Sequence, residues 1–96
     1  MSVSNIIKNR RNEILAIATR YGASNIRVFG SMAHGNESPE SDIDIIVKME
    51  KGRSLLDIIA IKQDIEELLG RKVDVVTEAS ISPYIRDNVL KEAVSL

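Results

Sequence analysis

The stretch SDIDIIVKM, residues 41–49, predicts a β-strand with one apolar face and one acidic face. Its apolar odd positions are Ile43, Ile45 and Val47. Asp42 and Asp44 occupy even positions, and because successive side chains of a strand point to opposite sides, both aspartates share one face. Aspartate is uncommon inside strands, so the pair indicates a role beyond folding.

Two further segments have the composition of strands. Residues 26–29 and 72–77 are rich in apolar and β-branched residues, and the second segment carries Asp74 in its interior. The segment between the second and third strands is helical in pattern, which is the connection expected of a parallel crossover. The direction of the first strand relative to the second stays open. In either direction the three strands can be neighbours, which would bring Asp74 beside the face that carries Asp42 and Asp44.

Apolar residues at helical spacing predict helices over residues 4–21 and 55–69, the latter closed by Gly70. Ser82–Pro83 is a typical start for a last helix. The apolar side of that helix is predicted to contain Ile85, Val89, Leu90, Ala93 and Val94. The order α-β-β-α-β-α predicts a single domain over residues 1–96, of the α/β (α+β) class, with a small mixed sheet and helices packed on it.

The composition argues against several classes of function. Aromatic residues make up 3% of the 96 residues, too few to recognise nucleic-acid bases by stacking. The net charge of −1 provides no field that attracts a polyanion or a membrane surface, so we expect no direct binding to nucleic acid or membrane. Cysteine is absent, which excludes disulfides and thiolate metal sites. No segment has the length and apolarity of a signal peptide or membrane span, and we expect a cytoplasmic protein.

A shared face for Asp42, Asp44 and Asp74 is costly unless a positive charge lies among them, because like charges at short range repel. A hard divalent cation removes this cost. Oxygen-only ligands select magnesium or manganese. The alternative is that each aspartate caps a turn or pairs with an arginine such as Arg27 or Arg86.

The segment GSMAHG, residues 30–35, directly follows the first predicted strand. A Gly30–Ser31 turn at the start of a helix offers backbone N–H groups and a hydroxyl to phosphate oxygens. The alternative is a structural turn in which Ser31 only caps the helix. A serine-hydrolase nucleophile elbow is excluded, because Gly-x-Ser-x-Gly is absent and the chain has a single histidine, His34.

Four elements of the sequence together resemble the minimal nucleotidyltransferases of the DNA polymerase β type, over essentially the whole chain. They are Gly30–Ser31, then Ala33 and Gly35, then Ser41 to Asp44, and finally Asp74. The resemblance implies the polymerase β-like nucleotidyltransferase fold. One position departs from the family pattern, since His34 stands where minimal members commonly carry arginine.

The resemblance also implies a role for each matched residue. Gly30 and Ser31 would bind the triphosphate of ATP. Asp42, Asp44 and Asp74 would be the catalytic carboxylates and the ligands of two magnesium ions, and Asp74 would also activate the attacking hydroxyl.

Minimal nucleotidyltransferases are typically antitoxins encoded beside a HEPN-domain ribonuclease toxin. The resemblance therefore implies transfer of AMP from ATP to a tyrosine of such a toxin, which neutralises it. Two alternatives stay open: a non-catalytic antitoxin that inhibits by contact alone, and an Asp-x-Asp enzyme that uses a nucleotide sugar. Magnesium-dependent transfer of label from the α-phosphate of ATP distinguishes the three.

Overall fold

Four strands form one mixed sheet in the computed structural model, which describes residues 5–30 and 42–96. The helices are α1 (Asn5–Asn9), α2 (Arg11–Arg20), α3 (Leu55–Leu69) and α4 (Arg86–Glu92). The strands are β1 (Ala23–Phe29), β2 (Ile43–Met49), β3 (Val73–Thr77) and β4 (Val94–Ser95), with a short 3₁₀ turn at Glu78–Ser80. No helix within the described part of the chain is long and apolar enough to cross a membrane.

The sheet has the strand order β3-β2-β1-β4. Strands β2 and β3 are parallel, as the helical crossover predicts, and β1 is antiparallel to both β2 and β4. The three predicted strands are confirmed as neighbours. The direction of β1, which the sequence left open, is antiparallel to β2.

One face of the sheet forms the core with the helices. The alternation predicted for β2 is confirmed, because Ile43, Ile45 and Val47 have no exposed surface and pack in the same cluster as Ile14 of α2 and Ile61 of α3. The other face carries the aspartates and is partly covered, because Arg27 of β1, the cross-strand neighbour of Ile46, forms an ion pair with Glu78 of the 3₁₀ turn. That cover explains why Ile46, on the aspartate face, is also fully buried although it lies outside the main cluster.

Helix α3 has the predicted bounds because both of its ends are well capped. Ser54 accepts a hydrogen bond from the Leu56 N–H, and the Asp57 carboxylate accepts one from the Ser54 N–H. Gly70 closes the helix in the left-handed conformation, at φ 66°, as its position in the sequence predicts.

The prediction of one helix over residues 4–21 was wrong. The described part of that segment forms α1 and α2, with a break at Arg10, and Ser4 lies outside the described residues. At the break the Arg10 N–H donates a hydrogen bond to the Ile7 carbonyl at 3.2 Å. This bond spans three residues instead of the four of an α-helix, so the chain makes a 3₁₀-type turn before α2 begins.

The last helix was also predicted too long. It begins at Arg86 rather than directly after Ser82–Pro83, and it ends at Glu92. Val94, predicted to be helical, lies in β4 and pairs with Val28 of β1. The edge of β1 has backbone groups that need partners, and this pairing satisfies them at the C-terminal end of the described chain.

Candidate active site

The register of the parallel strands brings two of the predicted carboxylates together. Asp44 of β2 pairs with Asp74 of β3, on strands about 4.8 Å apart. Asp42 precedes Asp44 by two positions and so lies on the same face. The structure therefore gathers the three aspartates at one edge of the sheet, as predicted.

Gly30 lies against the carboxylate of Asp44. It directly follows β1, whose last residue, Phe29, pairs with Asp44 across the sheet. A Cβ atom on Gly30 would lie 2.8 Å from Asp44 Oδ2, and the φ of +73° is one that side chains rarely adopt. The backbone conformation thus favours glycine here, and a side chain at this position would push against the Asp44 carboxylate. Ser31, which the resemblance places at the triphosphate, and His34, the departure from the family pattern, lie outside the described residues.

The ionised form of Asp44 is unfavourable in its surroundings. Burial raises its pKa above the ordinary aspartate value, and the negative charges of Asp74 and Asp42 raise it further. Neither arginine that the sequence offered as a partner binds it. Arg27 forms an ion pair with Glu78, and Arg86 donates to the Ile81 carbonyl at 3.0 Å.

Asp42 and Asp74 face a pocket of about 170 Å³ that also contains two lysines. Lys62 of α3 and Lys72, just before β3, line it together with Val73. Sequence reasoning missed both lysines, because neither belongs to a motif; the position of Lys72 two residues before Asp74 is the one signal that was available. A larger cavity of about 470 Å³ lies elsewhere, beside the C-terminal ends of β2 and β3 and far along both strands from the aspartates.

The donor set of the three aspartates suits a hard cation, since it consists of carboxylate oxygens. Burial raises the pKa of Asp44, and the charges of Asp74 and Asp42 raise it further. Within residues 5–30 and 42–96, however, no group of three His, Asp or Glu side chains is arranged to hold a metal ion as it stands. Metal binding by Asp42, Asp44 and Asp74 therefore stays a prediction.

The chain is similar in sequence to known nucleotidyltransferases. The sequence model of the nucleotidyltransferase domain family matches residues 11–96. A protein of Methanocaldococcus jannaschii, provisionally named a protein adenylyltransferase, is 40% identical over 90 residues, which span 94% of this chain and 97% of the relative. The protein adenylyltransferase MntA of Thermococcus cleftensis is 41% identical over 75 residues, spanning 78% of this chain and 76% of the relative.

Solved structures share the fold. One, provisionally described as a minimal nucleotidyltransferase, has a TM-score of 0.88 and 41% identity, and the match covers 99% of this chain and 97% of that one. A toxin–antitoxin structure with AMP-PNP has a TM-score of 0.74 and 24% identity, over 88% and 69% of the two chains. A complex of a tri-AMPylated HEPN toxin of Shewanella oneidensis with an MNT antitoxin has a TM-score of 0.69 and 21% identity, over 92% and 69%. At these lower identities the likeness shows the fold alone.

Proposed function

The chain belongs to the nucleotidyltransferase domain family, and from this premise we propose that it is an antitoxin that transfers AMP from ATP to a tyrosine of a HEPN-domain toxin. The observation that carries the proposal is the register that sets Asp44 beside Asp74, with Asp42 on the same face. Relatives named as protein adenylyltransferases support a protein acceptor, and the two toxin–antitoxin neighbours support a toxin. ATP as the donor supports a cytoplasmic location.

In the proposed reaction the tyrosine oxygen attacks the α-phosphorus of ATP. A new O–P bond forms, the α–β anhydride bond breaks, and pyrophosphate leaves. Asp74 is exposed at the edge of the pocket, where it can accept the proton of the tyrosine hydroxyl. Asp42, Asp44 and Asp74 would hold magnesium, which when bound supplies charge neutralisation for the phosphates. Gly30 keeps space for the Asp44 carboxylate, and Ser31 is proposed as a phosphate contact.

We expect ATP to bind only when magnesium or manganese is present. The negative charges of Asp42, Asp44 and Asp74 lie on one face and repel a bare triphosphate. Isothermal titration calorimetry should give clear heats with Mg·ATP and none with ATP in excess chelator. Equal affinities under the two conditions would contradict a role for the metal as a bridge between aspartates and phosphates.

The test of the proposed function is a transfer assay. ATP labelled at the α-phosphate is incubated with magnesium, this protein and a HEPN toxin from the same genome, and toxin ribonuclease activity is measured in parallel. We expect labelled toxin with lost ribonuclease activity, and no label when the acceptor tyrosine is replaced by phenylalanine. An unlabelled toxin that is nevertheless inhibited would favour the alternative, inhibition by contact alone. Label from a nucleotide sugar instead of ATP would favour the glycosyltransferase alternative.

A further inference from the structure

We propose that Tyr84 is a second acceptor of AMP, modified in the active site of another copy of this chain. The inference rests on the proposed function, because it takes the same donor, ATP, and the same acceptor group, a tyrosine hydroxyl. It adds a modification site on the protein itself. The sequence analysis had assigned this segment only to the start of a helix at Ser82–Pro83.

The chain has two tyrosines, and they differ in their access to another molecule. Tyr84 is 94% exposed, whereas the next most exposed large apolar side chain of the described residues, Leu56, is 75% exposed. Tyr21 is partly buried, and its hydroxyl donates a hydrogen bond to the carboxylate of Asp64 at 2.9 Å. An acceptor hydroxyl must come within contact distance of the α-phosphorus, so Tyr84 is the tyrosine that can react.

Tyr84 projects from a turn whose base is fixed. Residues 82–85 lie between the 3₁₀ turn and α4, outside any helix or strand. At the base the carbonyl of buried Ile81 accepts a hydrogen bond from the Arg86 guanidinium at 3.0 Å, and the Arg86 N–H bonds the Ser82 carbonyl at 2.9 Å. A segment that is already ordered loses little conformational freedom when another surface binds it.

The charges of this segment suit an acidic active site. Residues 82–86, SPYIR, contain one arginine and no carboxylate. The active site carries Asp42, Asp44 and Asp74, and a bound triphosphate adds further negative charge, so a carboxylate beside the acceptor hydroxyl would be repelled. Asp74, proposed above to accept the proton of the hydroxyl, is exposed and open to a second molecule.

The position of Tyr84 in the fold assigns the reaction to two copies of the chain. Strand β3 leads away from the aspartates, and its last residue, Thr77, lies about 10 Å along the strand from Asp74. The 3₁₀ turn and residues 82–85 follow this far end, and the bond from Arg86 to the Ile81 carbonyl holds the turn there. Tyr84 therefore faces solvent at the end of the sheet opposite to its own active site.

In the proposed step the Tyr84 oxygen attacks the α-phosphorus of ATP bound to the second copy. An O–P bond forms, the α–β anhydride bond breaks and pyrophosphate leaves. The proton of the phenol passes to Asp74 of the copy that binds ATP. The chemistry is that of the proposed toxin reaction, with Tyr84 in place of the tyrosine of the toxin.

The experiment uses untagged wild type as the enzyme and size-tagged Asp44→Asn as the acceptor, with magnesium and ATP labelled at the α-phosphate. Asp44→Asn keeps Tyr84 but should not transfer AMP itself. We expect label on the tagged protein at a rate that rises with the concentration of wild type, and peptide mass spectrometry should locate it on Tyr84. The matched control acceptor is the double variant Asp44→Asn/Tyr84→Phe, which keeps Tyr21 and should stay at background.

Three outcomes would overturn the inference. They are an unlabelled Asp44→Asn acceptor, equal label on the control acceptor, and label that is the same with and without wild type. The toxin assay above separates this inference from the proposed function. A labelled toxin beside an unlabelled Asp44→Asn acceptor would overturn the inference and leave the proposed function standing. Label on Tyr84 with none on any toxin would support the inference and defeat the proposed function instead.

Discussion

Asp44→Asn is expected to reduce AMP transfer to background while leaving the metal-free protein as stable as wild type or more stable. Asparagine keeps the shape of the side chain but is a poor ligand for magnesium and carries no charge to balance it. In the metal-free protein, however, the charge of Asp44 is a liability. Burial and the neighbouring charges of Asp74 and Asp42 raise its pKa, and no ion pair within the described residues includes it.

The effect on stability should depend on pH in a defined direction. Because the pKa of Asp44 is raised in the folded protein, the folded state favours the neutral form. That contribution is fully present below the ordinary aspartate pKa of 3.8 and is lost as the pH rises through the raised value. In chelator, Asp44→Asn and wild type should therefore melt alike in acid, and the variant should melt at an equal or higher temperature near neutral pH.

The matched control for this variant is Asp87→Asn, the same chemical change at an exposed aspartate in the first turn of α4. It should retain wild-type transfer. Two outcomes would contradict our account of the aspartate face. An Asp44→Asn protein that melts several degrees lower in chelator would mean that a partner stabilises the carboxylate, and one that still transfers AMP would mean that the carboxylate is not part of the reaction.

The fold was predictable where a local pattern determines it. The alternation in β2 and the caps of α3 need only neighbouring residues, and both predictions are confirmed. The helical crossover predicted that β2 and β3 are parallel and that Asp74 could lie near Asp42 and Asp44, whereas the register that pairs Asp44 with Asp74 is seen only in the structure. The sequence analysis missed strand β4 because a strand of two residues is too short to show an alternating pattern. The strand is held by hydrogen bonds to β1, such as the one that the Leu96 N–H donates to the Ile26 carbonyl at 3.0 Å.

The aspartates of the candidate site were predictable from the sequence, but the side chains around them were less so. Motif spacing identified the aspartates and Gly30, whereas Lys62 reaches the pocket only through the packing of α3 against β3. The burial of Ile46 likewise depends on the segment that follows β3, which no periodicity assigns to that face. A lysine on a helix is usually exposed to solvent, so its position in the sequence does not indicate that it lines a pocket.

Gly30→Ala tests whether the space beside Asp44 matters for function, and Gly70→Ala is a close control. The two glycines have similar positive φ angles, +73° and +66°, so alanine at either position should cost about 1–2 kcal/mol of stability. Their surroundings differ. A Cβ at position 70 meets nothing within 4 Å, whereas a Cβ at position 30 would lie 2.8 Å from Asp44 Oδ2. Since a carboxylate can rotate away, the contact should displace Asp44 rather than unfold the protein.

We therefore expect both variants to lose similar stability in a denaturant titration, but only Gly30→Ala to lose activity. A catalytic group displaced by about 1 Å can cost on the order of 100-fold in rate, and we expect a loss of at least that size in kcat/KM for AMP transfer. Gly70→Ala, at the end of α3, should transfer AMP at the wild-type rate under conditions where it is folded. Equal activities in the two variants would mean that the close approach of Asp44 to the Gly30 backbone has no part in catalysis. A Gly30→Ala protein far less stable than Gly70→Ala would instead show that the Asp44 carboxylate has no room to rotate.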